Sequence, residues 1–428
     1  MKKVITYGTY DKLHHGHVRL LERAKALGDY LIVGVTSDDF DRQRGKINVS
    51  QSLMERIANV EATGLADEII IEEYQGQKID DIRRYGVDIF TVGSDWTGKF
   101  DYLREWCEVV YLPRTEGVSS SQIRSEEGKL RLGIVGASAY ATKVVEQSAF
   151  VNGIEVTSTR ASLDEEDEEF FDAVDAVFVL SLPAKHYHDV KSSLSRGKHV
   201  LCESPAALSR KQAEELWGLA KQKDLCLVDA VKTAYATAYE RLLLLVKSGA
   251  IGEVVSVDAT CTTLRPEQLA TQEAREQSWS SMCSWGPTAL LPVFHLLGTD
   301  YKHRRAFSRI IDEKLHFDAF SKVDFEYAGA VASIKVAKGA KSEGELVVTG
   351  TEGYVYVPAP WWKTDYFEVR LEDSSLNKRY FYQLDGEGIR YELVSFLRTV
   401  KHGGECPYMP SRISLAIVDV IESLYTED

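Results

Sequence analysis

The chain has 428 residues, a formal net charge of −14 and 44% hydrophobic residues. That length holds two or three domains, each with its own core, and the acidic balance excludes a broad electrostatic footprint for nucleic acid. Cys107, Cys202, Cys226, Cys261, Cys283 and Cys406 are scattered with no Cys-x-x-Cys spacing, which reads as reduced, buried thiols and gives no zinc site. The apolar run after Lys2-Lys3 ends at Gly8, too short for a signal peptide. No stretch approaches the roughly 18 apolar residues of a membrane helix. A cytoplasmic protein without membrane insertion is expected.

The first half alternates strand and helix. Strands are predicted over 4–7, 30–36, 68–72, 88–92 and 109–112, with helices over 17–27, about 52–62, about 77–85 and 99–106. Ser52 and Glu55 make a capping-box pair, and Gly28 reads as a helix stop. Such alternation argues a doubly wound parallel sheet, whose ligands sit beyond the carboxyl ends of the strands. His14-His15-Gly16-His17 follows the first strand and opens the first helix. Imidazole donors thereby meet a helix N-terminus, whose orphan N–H groups and dipole attract phosphate. Gly16 lets the backbone approach such an anion closely. Ser119 to Gln122 is expected to cap a last short helix, and the polar run 124–129 reads as a junction.

A second strand–helix pattern starts at 130–136 and continues through 154–158, 173–180, 199–202 and 226–230. From about residue 252 longer alternating strands (254–263, 330–336, 345–349, 353–357) predict a mostly antiparallel sheet, closed by an amphipathic helix over 411–425. Domains are expected at 1–128, 130–245 and 246–428.

Four segments then stand together: the histidine motif, 20–31 (Leu-Leu-Glu-Arg-Ala-Lys through Leu-Gly-Asp-Tyr-Leu), Gly93-Ser94-Asp95-Trp96-Thr97-Gly98-Lys99-Phe100-Asp101, and 108–121, which contains Arg114-Thr115-Glu116-Gly117-Val118-Ser119-Ser120-Ser121. Over residues 1 to about 128 the chain resembles the HxGH nucleotidyltransferases, and within them the glycerol-3-phosphate cytidylyltransferases. The resemblance implies a reaction of CTP with sn-glycerol 3-phosphate that gives CDP-glycerol and pyrophosphate for surface polymers such as teichoic acid. It implies His14, His17 and Lys46 as catalytic residues. Thr9, Tyr10, Gly16, Asp95, Arg114, Thr115, Gly117, Ser119 and Ser120 would hold the nucleotide, and Asp11, Arg56, Lys78 and Trp96 the acceptor. Mg2+ would arrive with CTP, bridging phosphate oxygens, with no metal held by the protein itself. Against these roles stand plainer ones: solvated loop lysines for Lys46 and Lys78, a helix-surface arginine for Arg56, and core packing for Trp96.

Residues 130–428 resemble the Gfo/Idh/MocA oxidoreductases through 197–205 (Gly-Lys-His-Val-Leu-Cys-Glu-Ser-Pro) and 247–254 (Lys-Ser-Gly-Ala-Ile-Gly-Glu-Val). The resemblance implies a Rossmann domain followed by an open-faced, mostly antiparallel α+β domain. Its cofactor residues would be Gly136, Ser138, Arg160, His186, Glu203 and Lys232, for NAD(P). The motifs are eroded. Ser138 stands for the second glycine of the phosphate-binding turn, Arg160 follows the second strand where an acid is usual, and Glu203-Ser204-Pro205 has serine for the family's lysine. Pro292 replaces an aspartate, His295 is one residue out of register, and Lys232 is the candidate substitute lysine. The expected protein is thus α/β throughout, a cytidylyltransferase with an oxidoreductase-like module that has lost hydride chemistry. The alternative is a bifunctional enzyme whose second module makes the polyol phosphate, such as ribitol 5-phosphate, that the first activates. Both resemblances imply a homo-oligomer acting on small molecules.

Overall fold

Strands buried on both faces need helices above and below them, and the first part of the chain is built that way. The computed structural model describes residues 1–43, 49, 51–74, 76–113, 128–151, 153–163, 167–382 and 384–426. It divides into two units, Met1–Lys129 and Leu130–Asp428.

In the first unit the elements run β1 (Lys3–Gly8), α1 (His15–Lys25), β2 (Tyr30–Thr36), α2 (Asp38–Gln43), α3 (Leu53–Glu61), β3 (Glu68–Glu72), α4 (Gln77–Tyr85), β4 (Ile89–Gly93) and β5 (Glu108–Leu112). The strands pair in parallel in the order β3-β2-β1-β4-β5. Val4, Leu31 and Val33 pack with Leu21 and Ala24 of α1 on one face, while Ile5, Ile32 and Phe90 meet Ile82 and Leu103 on the other. The chain reverses its winding between β1 and β4, so a crevice opens at their carboxyl ends. That is where α1 begins. The Ser52 hydroxyl accepts from Glu55 N at 3.4 Å and the Glu55 carboxylate accepts from Ser52 N at 2.7 Å, the predicted capping box. Gly28 works otherwise than expected. Helix α1 ends on Ala26 in a right-handed conformation, and a Cβ on Gly28 would lie 2.6 Å from the Lys2 carbonyl oxygen. Its role is close strand packing, not a left-handed cap. The helix expected over 99–106 is a short 3-10 turn, Asp101–Glu105.

The second unit begins with β6 (Leu130–Val135), α5 (Ala139–Ser148), β7 (Ile154–Arg160), α6 (Glu168–Asp172), β8 (Ala176–Val179), α7 (His186–Ser195), β9 (His199–Glu203), α8 (Arg210–Gln222), β10 (Leu227–Ala230) and α9 (Thr237–Lys247). These strands form a parallel sheet in the order β10-β9-β8-β6-β7. Then come β11 (Val254–Thr262), α10 (Pro266–Leu269), α11 (Gln272–Glu276), α12 (Ser281–Leu297), β12 (His303–Asp312), β13 (Phe317–Glu326), β14 (Val331–Ala337), β15 (Leu346–Gly350), β16 (Gly353–Val357), β17 (Tyr366–Leu371), β18 (Lys378–Phe381), α13 (Ile389–His402) and α14 (Ser411–Thr426). The eight strands order as β12-β13-β14-β11-β15-β16-β17-β18. Neighbours are antiparallel except β11 with β14. Helix α12 packs on β11, β13 and β14, and α14 returns to the parallel-sheet core through Val418.

Among the described residues no helix is long and apolar enough to cross a membrane, and the cysteines are unbridged, five of them buried and Cys107 partly so.

Candidate functional site

Beyond β1 the backbone turns sharply. Tyr10 and Lys12 both lie in the left-handed region, at φ +52° and +48°, and the Tyr10 ring folds back over Gly8, where a Cβ would come within 2.9 Å of it. The buried ring then meets His17 edge-on at 5.5 Å. His14 caps α1 with its own side chain, Nδ1 accepting from Gly16 N at 3.1 Å. With Nδ1 accepting, the proton of the neutral ring belongs on Nε2, which leaves that atom as a donor. The His14 and His17 rings stack at 4.0 Å with 21° between their planes. Two half-buried imidazoles therefore stand at a helix N-terminus in the crevice, a donor cluster suited to phosphate oxygens.

Arg56 holds this turn from behind and is fully buried. Its guanidinium donates to Thr9 O at 2.7 Å, Thr36 O at 2.8 Å and Gln51 O at 3.2 Å, and pairs with Asp38. Asp41 lies 3.8 Å away and accepts from the Thr9 hydroxyl at 2.9 Å, while buried Asp11 accepts from Gln51 N at 3.0 Å. Arg56 is thus not a helix-surface arginine. Its donors are turned onto the loops that carry Thr9, Thr36 and Gln51. Lys78 is also buried, not a surface lysine: it pairs with Glu72 and lies 4.5 Å over the Tyr7 ring and 5.6 Å from Phe100. Glu72 accepts in addition from the Thr36 hydroxyl at 2.9 Å. Trp96, 44% exposed, tilts against Phe100 at 5.9 Å, so it is not core. Asp95 is exposed beside it. Lys46, Arg114, Thr115, Gly117, Ser119 and Ser120 lie outside the described residues.

The second unit carries a cavity of about 210 Å3 lined by Tyr140, Glu203, Ser204, Lys232, Trp285 and Trp362 among others. The ammonium of Lys232 lies 4.7 Å above the Tyr140 ring and 3.9 Å from Glu387; burial pulls its pKa down, opposed by Glu392 and Glu387. Burial pushes the Glu203 carboxyl up, with Lys232 and Lys338 opposing. Glu392, wholly buried on α13, is pushed up to about 8 by burial, beside Lys232, Glu203 and Tyr140. Lys338 is brought down to about 8 by the same cause. Ser204 donates to Asp229 at 3.3 Å.

At the start of α5, Gly136 has φ +142°, and a Cβ there would lie 2.2 Å from the Leu180 carbonyl. Ser138 caps the helix, accepting from Ala141 N at 3.2 Å. Arg160 ends β7, paired with Asp167 at 2.8 Å. His186 does not line the cavity. It is buried behind Ser204 and Pro205, its ring nitrogens 3.0 Å from the Pro205 and Ser181 carbonyls. His295 is likewise spent, on the Tyr239 hydroxyl at 3.0 Å and the Tyr408 carbonyl at 3.1 Å.

Known proteins divide along the same line. A family model described as "Cytidylyltransferase-like" matches residues 5–126, and one described as "Oxidoreductase family, NAD-binding Rossmann fold" matches residues 127–230. The glycerol-3-phosphate cytidylyltransferase of Bacillus spizizenii is 52% identical over 130 residues, 30% of this chain and 100% of that protein. The chain belongs to the cytidylyltransferase-like family. The Staphylococcus aureus glycerol-3-phosphate cytidylyltransferase is 47% identical over 126 residues, 29% of this chain and 95% of its own. The second unit has the fold of a 3-ketoreductase from Actinomadura kijaniata solved with NADP and TDP-benzene (TM-score 0.61, 18% identity, 70% of this chain and 98% of that one). An oxidoreductase from Agrobacterium radiobacter solved with NAD+, L-tartaric acid and magnesium is similar in fold (TM-score 0.56, 15% identity, 70% and 96%). The chain is a fusion of a cytidylyltransferase unit and an oxidoreductase-like unit, α/β throughout.

The structure brings Thr9, Tyr10, Asp11, His14, Gly16, His17 and Arg56 to one turn, and Lys78, Phe100 and Trp96 to a second cluster. In the second unit it gathers Glu203 and Lys232 in the cavity. Sequence reasoning did not single out Tyr140, which lines the cavity, nor Glu387, Glu392 and Lys338, which interact with Lys232 or Glu203. No spacing links these residues.

Proposed function

We propose that the first unit transfers the cytidylyl group of CTP to glycerol 3-phosphate, releasing pyrophosphate and forming CDP-glycerol for a surface polymer such as teichoic acid. The observation that carries this reading is the stacked His14–His17 pair at the start of α1, in a unit that spans the whole of a 52% identical glycerol-3-phosphate cytidylyltransferase. The acceptor phosphate loses its second proton near pH ~6, so it attacks the α-phosphorus without a general base. What must be overcome is charge, and positioning plus electrostatic stabilisation is the remedy. His14 Nε2 and His17 donate to phosphate oxygens as pyrophosphate leaves, and Lys46 adds its ammonium. Thr9, Tyr10, Gly16, Asp95, Arg114, Thr115, Gly117, Ser119 and Ser120 hold the nucleotide. Asp11, Lys78 and Trp96 shape the acceptor side, with Arg56 acting through the turn it braces. Mg2+ would enter with CTP and would neutralise charge on its phosphates. Release of pyrophosphate from CTP and glycerol 3-phosphate tests the reading. It should fall about 10²–10³-fold in His17→Ala, and no release with any polyol phosphate would sink it.

We read the functional modules as 1–128, 130–245 and 246–428, in a cytoplasmic homo-oligomer that acts on small molecules and not on nucleic acid. The second unit fits the phosphate end of an NAD(P) dinucleotide: Gly136 allows the close turn, the start of α5 is exposed, and Arg160 ends β7. When bound, that group would supply hydride chemistry. Ser204 is neutral and tied to Asp229, and both histidines near the site are occupied, which supports a module without that activity. Lys232 in the cavity favours the second reading, a reductase that makes the polyol phosphate. NADPH titration separates the two: binding with turnover of a keto-sugar phosphate, abolished in Lys232→Ala, selects the bifunctional enzyme.

A further inference from the structure

Lys232 and Lys363, which line the second unit's cavity, stand with Lys143 as three ammonium groups around one carboxylate. Glu387 accepts from Lys143 of α5 at 2.9 Å and from Lys363 at 2.8 Å, and Lys232, just past β10, lies 3.9 Å away. Three segments remote in sequence thus converge on a single side chain. The backbone that delivers it is unusual: Gly386, Glu387 and Gly388 have φ of +56°, +55° and +89° in succession. Glycine adopts that region freely, but glutamate enters it against steric resistance. Partly exposed ion pairs repay such strain poorly, and a strained residue beside a cavity points to function. The three lysines pull the Glu387 carboxyl down to about 2, so it remains an anion at any working pH.

The cavity is lined by Lys232 and Lys363, by the Trp285 and Trp362 rings 4.8 Å apart, and by Ser284, Thr288 and Glu203. Aromatic faces take the C–H side of a polyol, and hydroxyls and a carboxyl take its O–H groups. The cavity volume of about 210 Å3 has room for a short carbon chain.

We propose that Glu387 is a built-in stand-in for the phosphate of a small phosphorylated polyol or keto-sugar. The incoming phosphate monoester displaces the carboxylate from Lys143, Lys232 and Lys363 and lays its hydroxylated body against the exposed edge of the tryptophan pair. No bond is made or broken; one anion is exchanged for another. The inference stands apart from the cytidylyl transfer of the first unit.

Calorimetric titration of the full chain with glycerol 3-phosphate and with ribitol 5-phosphate tests it. Glu387→Gln should tighten one binding event about tenfold by removing the competing charge and its pairs. Lys363→Ala, at a partly exposed site that tolerates truncation, should weaken the same event by a similar factor. Unphosphorylated glycerol and ribitol should gain nothing, and pyrophosphate release should be unchanged in both variants. Equal or weaker binding in Glu387→Gln overturns the proposal. So does a gain confined to NADPH, which would make the lysines a dinucleotide site.

Discussion

Arg56 shows how a charge can serve a reaction without facing it. Its guanidinium is consumed by three carbonyls and by Asp38, with Asp41 close by, and those partners belong to the loops around the histidine turn. Arg56→Ala strips the buried carboxylate Asp41 of its counter-charge and should cost about 3–5 kcal/mol in urea unfolding. Arg56→Lys keeps the charge but not the planar fork, so it should recover stability more than turnover. A helix position one turn beyond a cap is visible in the string, but which loops fold over it is not. Glu392 is the counterpart in the second unit. Its carboxyl rises from 4.5 to about 8 through burial, so over that window the folded state holds a proton that the unfolded state has released. Stability should therefore fall as pH rises from about 4.5 through 8. In Glu392→Gln the slope of melting temperature against pH should flatten; an unchanged slope would assign it elsewhere.

At the scale of elements, legibility followed apolar runs bounded by polar turns and not burial, since β13, buried at alternate positions, went unpredicted. β2, β3 and β16 begin and end at the predicted residues, because apolar runs between polar turns mark their limits. β12 went unseen: His-Arg-Arg-Ala-Phe-Ser-Arg-Ile-Ile-Asp is nowhere fully buried and its register with β13 is broken twice, so no period of two survives. β17 and β18 end in a short ribbon with Lys378 and Arg379 exposed. The α12 helix carries Pro287 and Pro292 inside it, which sequence rules treat as breakers. The turn from β6 into α5 is the element-level test. Gly136→Ala puts a methyl 2.2 Å from the Leu180 carbonyl at φ +142° and should destabilise the second unit by more than about 1 kcal/mol.

For the whole molecule, that same variant measures independence. Each unit has its own sheet and core, so Gly136→Ala should lower the melting of the second unit while pyrophosphate release keeps its rate. A parallel loss of both would reveal coupling. The candidate site divides likewise in legibility. The histidine motif is local in sequence and was readable, whereas the cavity of the second unit draws Tyr140, Lys232, Trp285 and Trp362 from four separate segments, with Glu387 and Glu392 of a fifth beside Lys232.

The order of the large sheet leaves β12 and β18 at its two ends, the edges at which another chain could add a strand. β12 carries Arg304, Arg305 and Arg309, and β18 carries Lys378 and Arg379. On a chain of net charge −14 these margins are basic, and two such borders repel one another and resist strand addition. The arginines and lysines that hid both strands from a reading by hydrophobic period are the ones that keep the open sheet from seeding aggregates.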